Sequence, residues 1–171
     1  VFLGQLAYIV GYEKLFNIIR AYYSEWKFKH PLPNDFRRIA ERISGIQLQW
    51  YLTDWTQTTN KIDYAITGVE NKGEGSKINL LRNQLMPMPL ELLVILKNGE
   101  SELHYIPISL MRGEKANPYP IKWVVHPDWA WAHLEYSFLI DHPKEEIQTI
   151  IIDPSGLMAD VDKSNNYYAS E

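Results

Sequence analysis

The hydrophobic repeat of this chain changes period once. Before Asn60 apolar residues recur every three or four positions, as on a helix; after it they alternate, as on a strand. A chain patterned this way cannot be all-helical or all-sheet, and the single switch places helices first and strands second. Phe2, Leu6, Ile9 and Val10 share one face of a first helix that closes at Gly11. Leu15, Ile19, Tyr22 and Trp26, at i, i+4, i+7 and i+11, predict a second helix from Glu13 to about Trp26. The prolines of His30-Pro31 and Leu32-Pro33 disfavour helix at the residues before them. Asn34 is the expected N-cap of a third helix reaching Ser44, with Phe36, Ile39, Ala40 and Ile43 as its apolar stripe and Gly45 as its terminal glycine. A fourth helix from about Gln47 carries Leu48, Tyr51, Leu52 and Trp55 on one side. Four short helices joined by tight turns make a helical-bundle fragment.

Past the switch, Ile62, Tyr64 and Ile66 alternate with polar or small residues. Further strands are expected at 77–82, 90–96, 102–109, 121–125, 135–140 and 147–152. Asn98-Gly99 between 90–96 and 102–109 predicts a two-residue hairpin with φ > 0 at both positions. The expected fold is therefore α+β: a helical-bundle fragment over 1–60, an antiparallel β-sandwich of about seven strands over 61–157, and a polar tail over 158–171 that frays from Asp160.

Composition narrows the chemistry. The 171 residues include no cysteine, which excludes disulfides, a thiol nucleophile and cysteine-ligated metal. The net charge of −4 divides into +2 over residues 1–60 and −6 over the rest, and neither part has the dense basic patch that nucleic-acid binding needs. No apolar run is long enough to span a membrane as a helix, which takes about 20 residues. The uncharged, uncapped opening Val1-Phe2-Leu3-Gly4 lacks the marks of a secretory signal. It reads as the interior of a helix that begins upstream, so the chain is expected to be a piece of a longer protein; the alternative is a mature N-terminus packed as a buried helix.

No H-E-x-x-H, G-x-S-x-G, phosphate-binding loop or dinucleotide glycine pattern occurs. The five histidines, His30, His104, His126, His133 and His142, have no partner at metal-ligand spacing within a helix turn or strand. His126, Asp128 and His133 could supply a zinc donor set, against the simpler reading that they fix their loop. Trp123, Trp129, Trp131 and Tyr136 form a dense aromatic segment, expected to be a core or inter-domain plug, with stacking on sugars or on a protein partner as the alternative. Met86-Pro87-Met88-Pro89 reads as packing, Arg112 and Glu114 as a solvated turn, and Lys27, Lys29, Arg37 and Arg38 as a solvated helix face. Asp141, Glu145 and Glu146 before the last strand, and Asp153, Asp160 and Asp162 after it, are expected to be solvated turn carboxylates.

Several of these segments together resemble a known family. The stretch from Trp26 through Lys27, Phe28, Lys29, His30 and Pro31 to Phe36 is similar to the aminopeptidase-N-like (gluzincin) zinc metallopeptidases, as is Ile43-Ser44-Gly45 followed by Leu48, Trp50 and Trp55. Met86 to Leu90, Tyr105-Ile106-Pro107, Met111 to Lys115, Trp129 to His133, Ile152-Asp153-Pro154 and Met158 to Asp162 follow in the order found in bacterial members with a short C-terminal part. The resemblance covers nearly the whole chain. It implies the last helices of a thermolysin-like catalytic domain followed by the family's β-sandwich. The family's zinc ligands, general base and catalytic tyrosine all precede the matching region. No catalytic, cofactor-binding or metal residue is therefore carried over, and neither Tyr8 nor Tyr12 matches the catalytic tyrosine. The implied zinc belongs to an upstream catalytic domain, which would be this chain's partner, with a peptide as the parent enzyme's substrate. An exposed apolar helical face, capable of self-association, is a further expectation. An exported or periplasmic setting is compatible with the bacterial resemblance. The competing readings are a freestanding sugar- or protein-binding module using Trp129 and Trp131, and a small hydrolase built on His126 and His133.

Overall fold

A computed structural model describes residues 1–170. Among them are four helices, α1 (Phe2–Val10), α2 (Tyr12–Trp26), α3 (Pro33–Ser44) and α4 (Gln49–Gln57), and then eight strands. The strands are β1 (Tyr64–Lys72), β2 (Gly75–Arg82), β3 (Leu90–Leu96), β4 (Ser101–Ile106), β5 (Lys122–Val125), β6 (Glu135–Ile140), β7 (Ile147–Ile152) and β8 (Tyr167–Ala169). The fold is α+β, a helical-bundle fragment followed by two sheets in a sandwich-like arrangement. The chain forms two compact units: Val1–Asn60 with Leu110–Pro118, and Lys61–Ser109 with Tyr119 onward.

In the helical unit, Gly11 at φ 86° turns α1 into α2. The apolar face of α2 departs from the sequence expectation at one position: Leu15 is buried and Tyr22 and Trp26 half-buried as expected, but Ile19 is not on the covered side. Leu15 and Ile18 are buried while Ile19 faces outward. Adjacent Ile18 and Ile19 satisfy the helical repeat equally well, so only packing chooses between them. The third helix starts one residue before Asn34: Pro33 occupies the first turn, where its missing N–H costs nothing, and the Asp35 carboxylate accepts from the Leu32 N–H at 2.8 Å. Asn34 instead accepts from Arg37 Nε at 3.2 Å.

Residues 110–118 belong to this unit although they lie far along the chain. The Met111 carbonyl accepts from the Gln47 N–H at 2.7 Å. Gly113 passes so close to Gly45 that a Cβ would stand 2.8 Å from the Gly45 oxygen. Lys115 is buried, its ammonium donating to the Tyr8 carbonyl at 2.8 Å and lying 4.8 Å from the Tyr8 ring centre. Arg112 and Glu114 are exposed, as the solvated-turn expectation has it, while Met111 and Lys115 beside them are anchors.

In the β unit one sheet has the order β1-β2-β6 and the other β5-β4-β3-β7-β8. Cross-strand partners share a face. On the first sheet Ile78 pairs with Phe138 and Val69; on the second Leu92 pairs with His104 and Ile152, and Val94 with Ile150. The Phe138 ring lies 5.6 Å from the His104 ring, which identifies these as the two facing surfaces. One pair departs from the antiparallel expectation: β4 and β5 run parallel. The excursion through residues 107–121 supplies the long connection that a parallel pair needs. The β3–β4 hairpin also differs. Only Gly99 has positive φ, at 89°, and Leu96 N–H donates to Glu100 O at 2.9 Å, so the loop has three residues and ends on a left-handed glycine.

The expected fraying of the tail is corrected. Met158, Asp160 and Asn166 are buried, Asp160 bridges to Ile62, and β8 pairs with β7. The tail is polar because its side chains bond to one another and to the backbone, and that pattern is indistinguishable from a solvated tail in sequence.

Gly75 opens β2 where β6 crosses it closely; a Cβ there would stand 2.2 Å from the Ile140 carbonyl oxygen. Backbone cannot yield as a side chain can. Gly75→Ala is expected to cost about 1–3 kcal/mol, the range for overpacking a close contact, read as a lowered urea midpoint. An unchanged midpoint would contradict this packing.

Candidate functional site

The aromatic segment divides between core and surface. Trp129 is 2 % exposed and Trp131 is 55 % exposed. The Trp129 ring stacks on Tyr136 at 5.1 Å and meets Tyr64 edge-on at 5.5 Å, and its Nε1–H donates to the His133 carbonyl at 2.8 Å. Trp123 stacks on Tyr105 at 5.0 Å. The segment therefore offers no paired platform of Trp129 and Trp131, and Trp131 is the exposed tryptophan of the loop. Met86 and Met88 are buried, and the Tyr64 hydroxyl brackets Met88, accepting from its N–H at 2.7 Å and donating to its carbonyl at 3.1 Å.

Histidines scattered in the sequence meet in space. His104, on the inward face of β4, lies with Nδ1 2.8 Å from Nε2 of His126, just after β5. The rings are nearly parallel, 5.1 Å between centres. The Nε2 atom of His104 lies 3.5 Å from Glu102 Oε2, and Glu102 Oε1 accepts from Lys122 Nζ at 2.6 Å and pairs with His142 Nε2 at 3.1 Å. A bare Nε2 lone pair facing a carboxylate would be repelled, so the favoured tautomer has His126 Nε2–H donating to His104 Nδ1 and the His104 Nε2–H turned toward Glu102. Burial, reinforced by the second imidazole, pushes the His104 pKa down to about 4. Burial also lowers His126. Burial alone would raise Glu102, but the bonds from Lys122 and His142 outweigh it and hold the carboxyl below its ordinary range. The cluster ties the edge strand β5 to β4. Alternation along the strand marks His104 as inward once β4 is known, but nothing in the sequence marks His126 as its partner.

The remaining flagged groups have structural tasks. His133 uses its backbone carbonyl for Trp129, and Asp128 is exposed. Asp153 caps its own turn, accepting from Ser155 Oγ at 2.5 Å and Met158 N–H at 2.7 Å. Glu145 accepts from Asn71 Nδ2 at 2.7 Å. Arg37 pairs with Glu41 at 3.1 Å, and Lys29 lies 5.7 Å from the Trp26 ring centre. Among the described residues no three His, Asp or Glu side chains converge as a metal-ligand group. The histidines present do not fit a catalytic zinc: His104 and His126 spend facing nitrogens on each other, and Lys122 shares the Glu102 oxygen with His142.

The feature of the helical unit without a covering element is the outer face of α2. Tyr12, Phe16, Ile19 and Tyr23 recur at i, i+4, i+7 and i+11 and are 54, 63, 38 and 67 % exposed. Leu15 and Ile18, on the other face, are buried. A helix apolar on both sides is patterned for burial on both sides. Among the described residues no helix is long and apolar enough to cross a membrane.

A scan of protein-family models and a search of curated proteins both return no match to this chain.

Proposed function

We propose that this chain is the non-catalytic C-terminal region of a zinc-dependent aminopeptidase, bracing a catalytic domain that carries the metal and removes N-terminal residues from peptides. The reading rests on the ordered segments from Trp26 to Asp162 that resemble that family. The observation that carries the bracing role is the apolar stripe of Tyr12, Phe16, Ile19 and Tyr23. Four large apolar side chains in line would leave water on docking against a second apolar surface, each contributing on the order of 1–3 kcal/mol when fully covered. The zinc, its ligands and the general base belong to the upstream domain in this reading, and no residue of this chain takes a step in hydrolysis. A second reading, a freestanding binding module, has Trp131 as its observation.

The test has two parts. The coding region upstream of Val1 is expected to encode an H-E-x-x-H in frame; its absence from the complete protein overturns the peptidase reading. In the intact protein, Phe16→Glu with Tyr23→Glu is expected to lower the melting temperature and detach the two regions in limited proteolysis. The same pair in the isolated chain should leave its fold unchanged and reduce self-association in sedimentation. An intact protein indifferent to both changes would remove the bracing role.

A further inference from the structure

Strand β5 is lightly secured. It ends its sheet and pairs with β4 alone. None of its residues is buried: Trp123 and Val124 are half-buried, Lys122 and Val125 exposed. Besides the ladder with residues 102–105, it is held by the Trp123–Tyr105 stack and by Lys122 on Glu102. Just past its end, the His126 N–H donates to Tyr105 O at 2.9 Å. An element with few buried contacts opens at a fraction of the cost of global unfolding. A boundary follows closely, since Trp129 lies in the core and bridges to Ile108.

The His104–His126 contact spans the seam between β4 and β5. His104 Nε2 is buried and has no partner within hydrogen-bond distance, Glu102 Oε2 standing 3.5 Å away. The neutral His104 ring is thus fixed by one hydrogen bond, from His126 Nε2–H to its Nδ1. That bond has a proton limit. A first added proton is accommodated, because His126 can take it on Nδ1 and still donate from Nε2. The bond also survives if the shared hydrogen crosses over and His104 carries the charge. A second proton puts hydrogens on both facing nitrogens, 2.8 Å apart, and makes two cations with ring centres 5.1 Å apart. Like charges that close repel, and burial sharpens the repulsion. The surroundings give little relief. From β6, the Phe138 ring lies 4.2 Å from His126 and 5.6 Å from His104. From β3, Leu92 stands opposite His104. Glu102, the carboxylate beside His104, is already shared by Lys122 and His142. Glu146 lies 3.8 Å from His142, and Asp141 and Glu100 act on Lys122.

We propose that the His104–His126 pair is an acid latch: its hydrogen bond seats β5 on β4, and its second proton releases β5 and bares the edge of β4. At neutral pH the latch is closed, because burial lowers the proton affinity of both rings. Release turns the buried pair into two solvated imidazolium ions and gives up only half-buried contacts over 122–125. The bared edge, Ser101–Ile106, is a row of unpaired backbone groups to which another strand can add. The device lies within the β unit and needs no upstream domain.

Amide hydrogen exchange on the isolated chain, corrected for the intrinsic pH dependence of exchange, tests the latch residue by residue. The rings are neutral when seated and charged when released, so acid favours opening. As the pH falls from 6.5 toward 4, opening over 122–126 should become about tenfold easier per pH unit for each proton taken up. Residues 92–95 of β3 and 149–151 of β7 should keep their protection. His126→Gln is the cleaner variant, because an amide that turns over offers His104 either a donor or an acceptor. It should leave β5 seated at pH 8 and flatten the slope. Circular dichroism checks that it folds, and His104→Leu, which should flatten the slope too, decides if it does not. Three outcomes overturn the proposal: protection over 122–126 that does not change with pH, protection lost there only together with β3 and β7, or an undiminished slope in the folded variant.

Discussion

Replacing Trp129 with alanine is expected to cost the β unit about 3–5 kcal/mol, the range for truncating a buried aromatic ring. The indole is 2 % exposed and is gripped from several directions. Its ring stacks on Tyr136 and meets Tyr64. Its Nε1–H binds the His133 carbonyl. The backbone around it donates to Pro107 O at 2.7 Å and accepts from Ser109 at 3.1 Å, forming the bridge between Ile108 and Trp129. Alanine would keep the backbone bonds, empty the space between two tyrosines and leave the His133 carbonyl without its donor. A domain of this kind has about 5–15 kcal/mol in total, so the variant is expected near the edge of folding, with a clear fall in the urea midpoint. Trp131→Ala, at an exposed ring, should change the stability by less than about 0.5 kcal/mol and leave the midpoint nearly in place. Equal effects from the two would contradict the placement of the loop.

The second large effect is acid destabilisation centred on His104. Its folded pKa of about 4 lies below the ordinary value of 6.5, so the folded state favours the neutral ring and the unfolded state binds the proton first. The stability this provides is present above pH 6.5 and is lost as the pH falls from 6.5 toward 4. The difference corresponds to about 3 kcal/mol for a buried ring. His126 shifts in the same direction and steepens the loss. The groups facing the pair are Glu102, Lys122 and His142, with Glu146 3.8 Å from His142. Glu102, held low, adds its own loss at still lower pH. Urea titrations between pH 8 and pH 4, followed by tryptophan fluorescence, should show this slope, and His104→Leu should flatten it even if the variant is weaker at pH 8. An identical slope in the variant would assign the acid sensitivity to other groups.

Local features were legible in the sequence where a local cause sets them. Strand β3 falls at 90–96, where the apolar run is interrupted only by Glu91, and β6 and β7 fall at 135–140 and 147–152 as expected. Gly45 closes α3 at φ 73° because a left-handed position there suits a residue without a Cβ. The strand run 62–66 was readable in kind but not in extent: β1 continues to Lys72 through Glu70 and Asn71, polar residues on an edge strand that carry no apolar signal. Asn98-Gly99 marked the hairpin but not its loop length, since Asn tolerates positive φ without needing it.

By itself the sequence determined that this chain is helices followed by strands, where most of those elements lie, and that it has no cysteine chemistry. Those properties depend on residues within a turn or two of each other. Only the tertiary structure decided that Ile18 rather than Ile19 enters the helical core, leaving an apolar stripe outside. It likewise decided that Met111 joins Gln47 and that Lys115 joins Tyr8 of α1, 107 residues earlier, that His104 bonds His126 across a parallel pair, and that Asp63 and Asp160 share one buried cluster. Each of these is a pairing between distant segments. Hydrophobic period and turn chemistry are silent about which distant segments meet, because burial is not directional and many pairings satisfy it equally until the whole chain is packed.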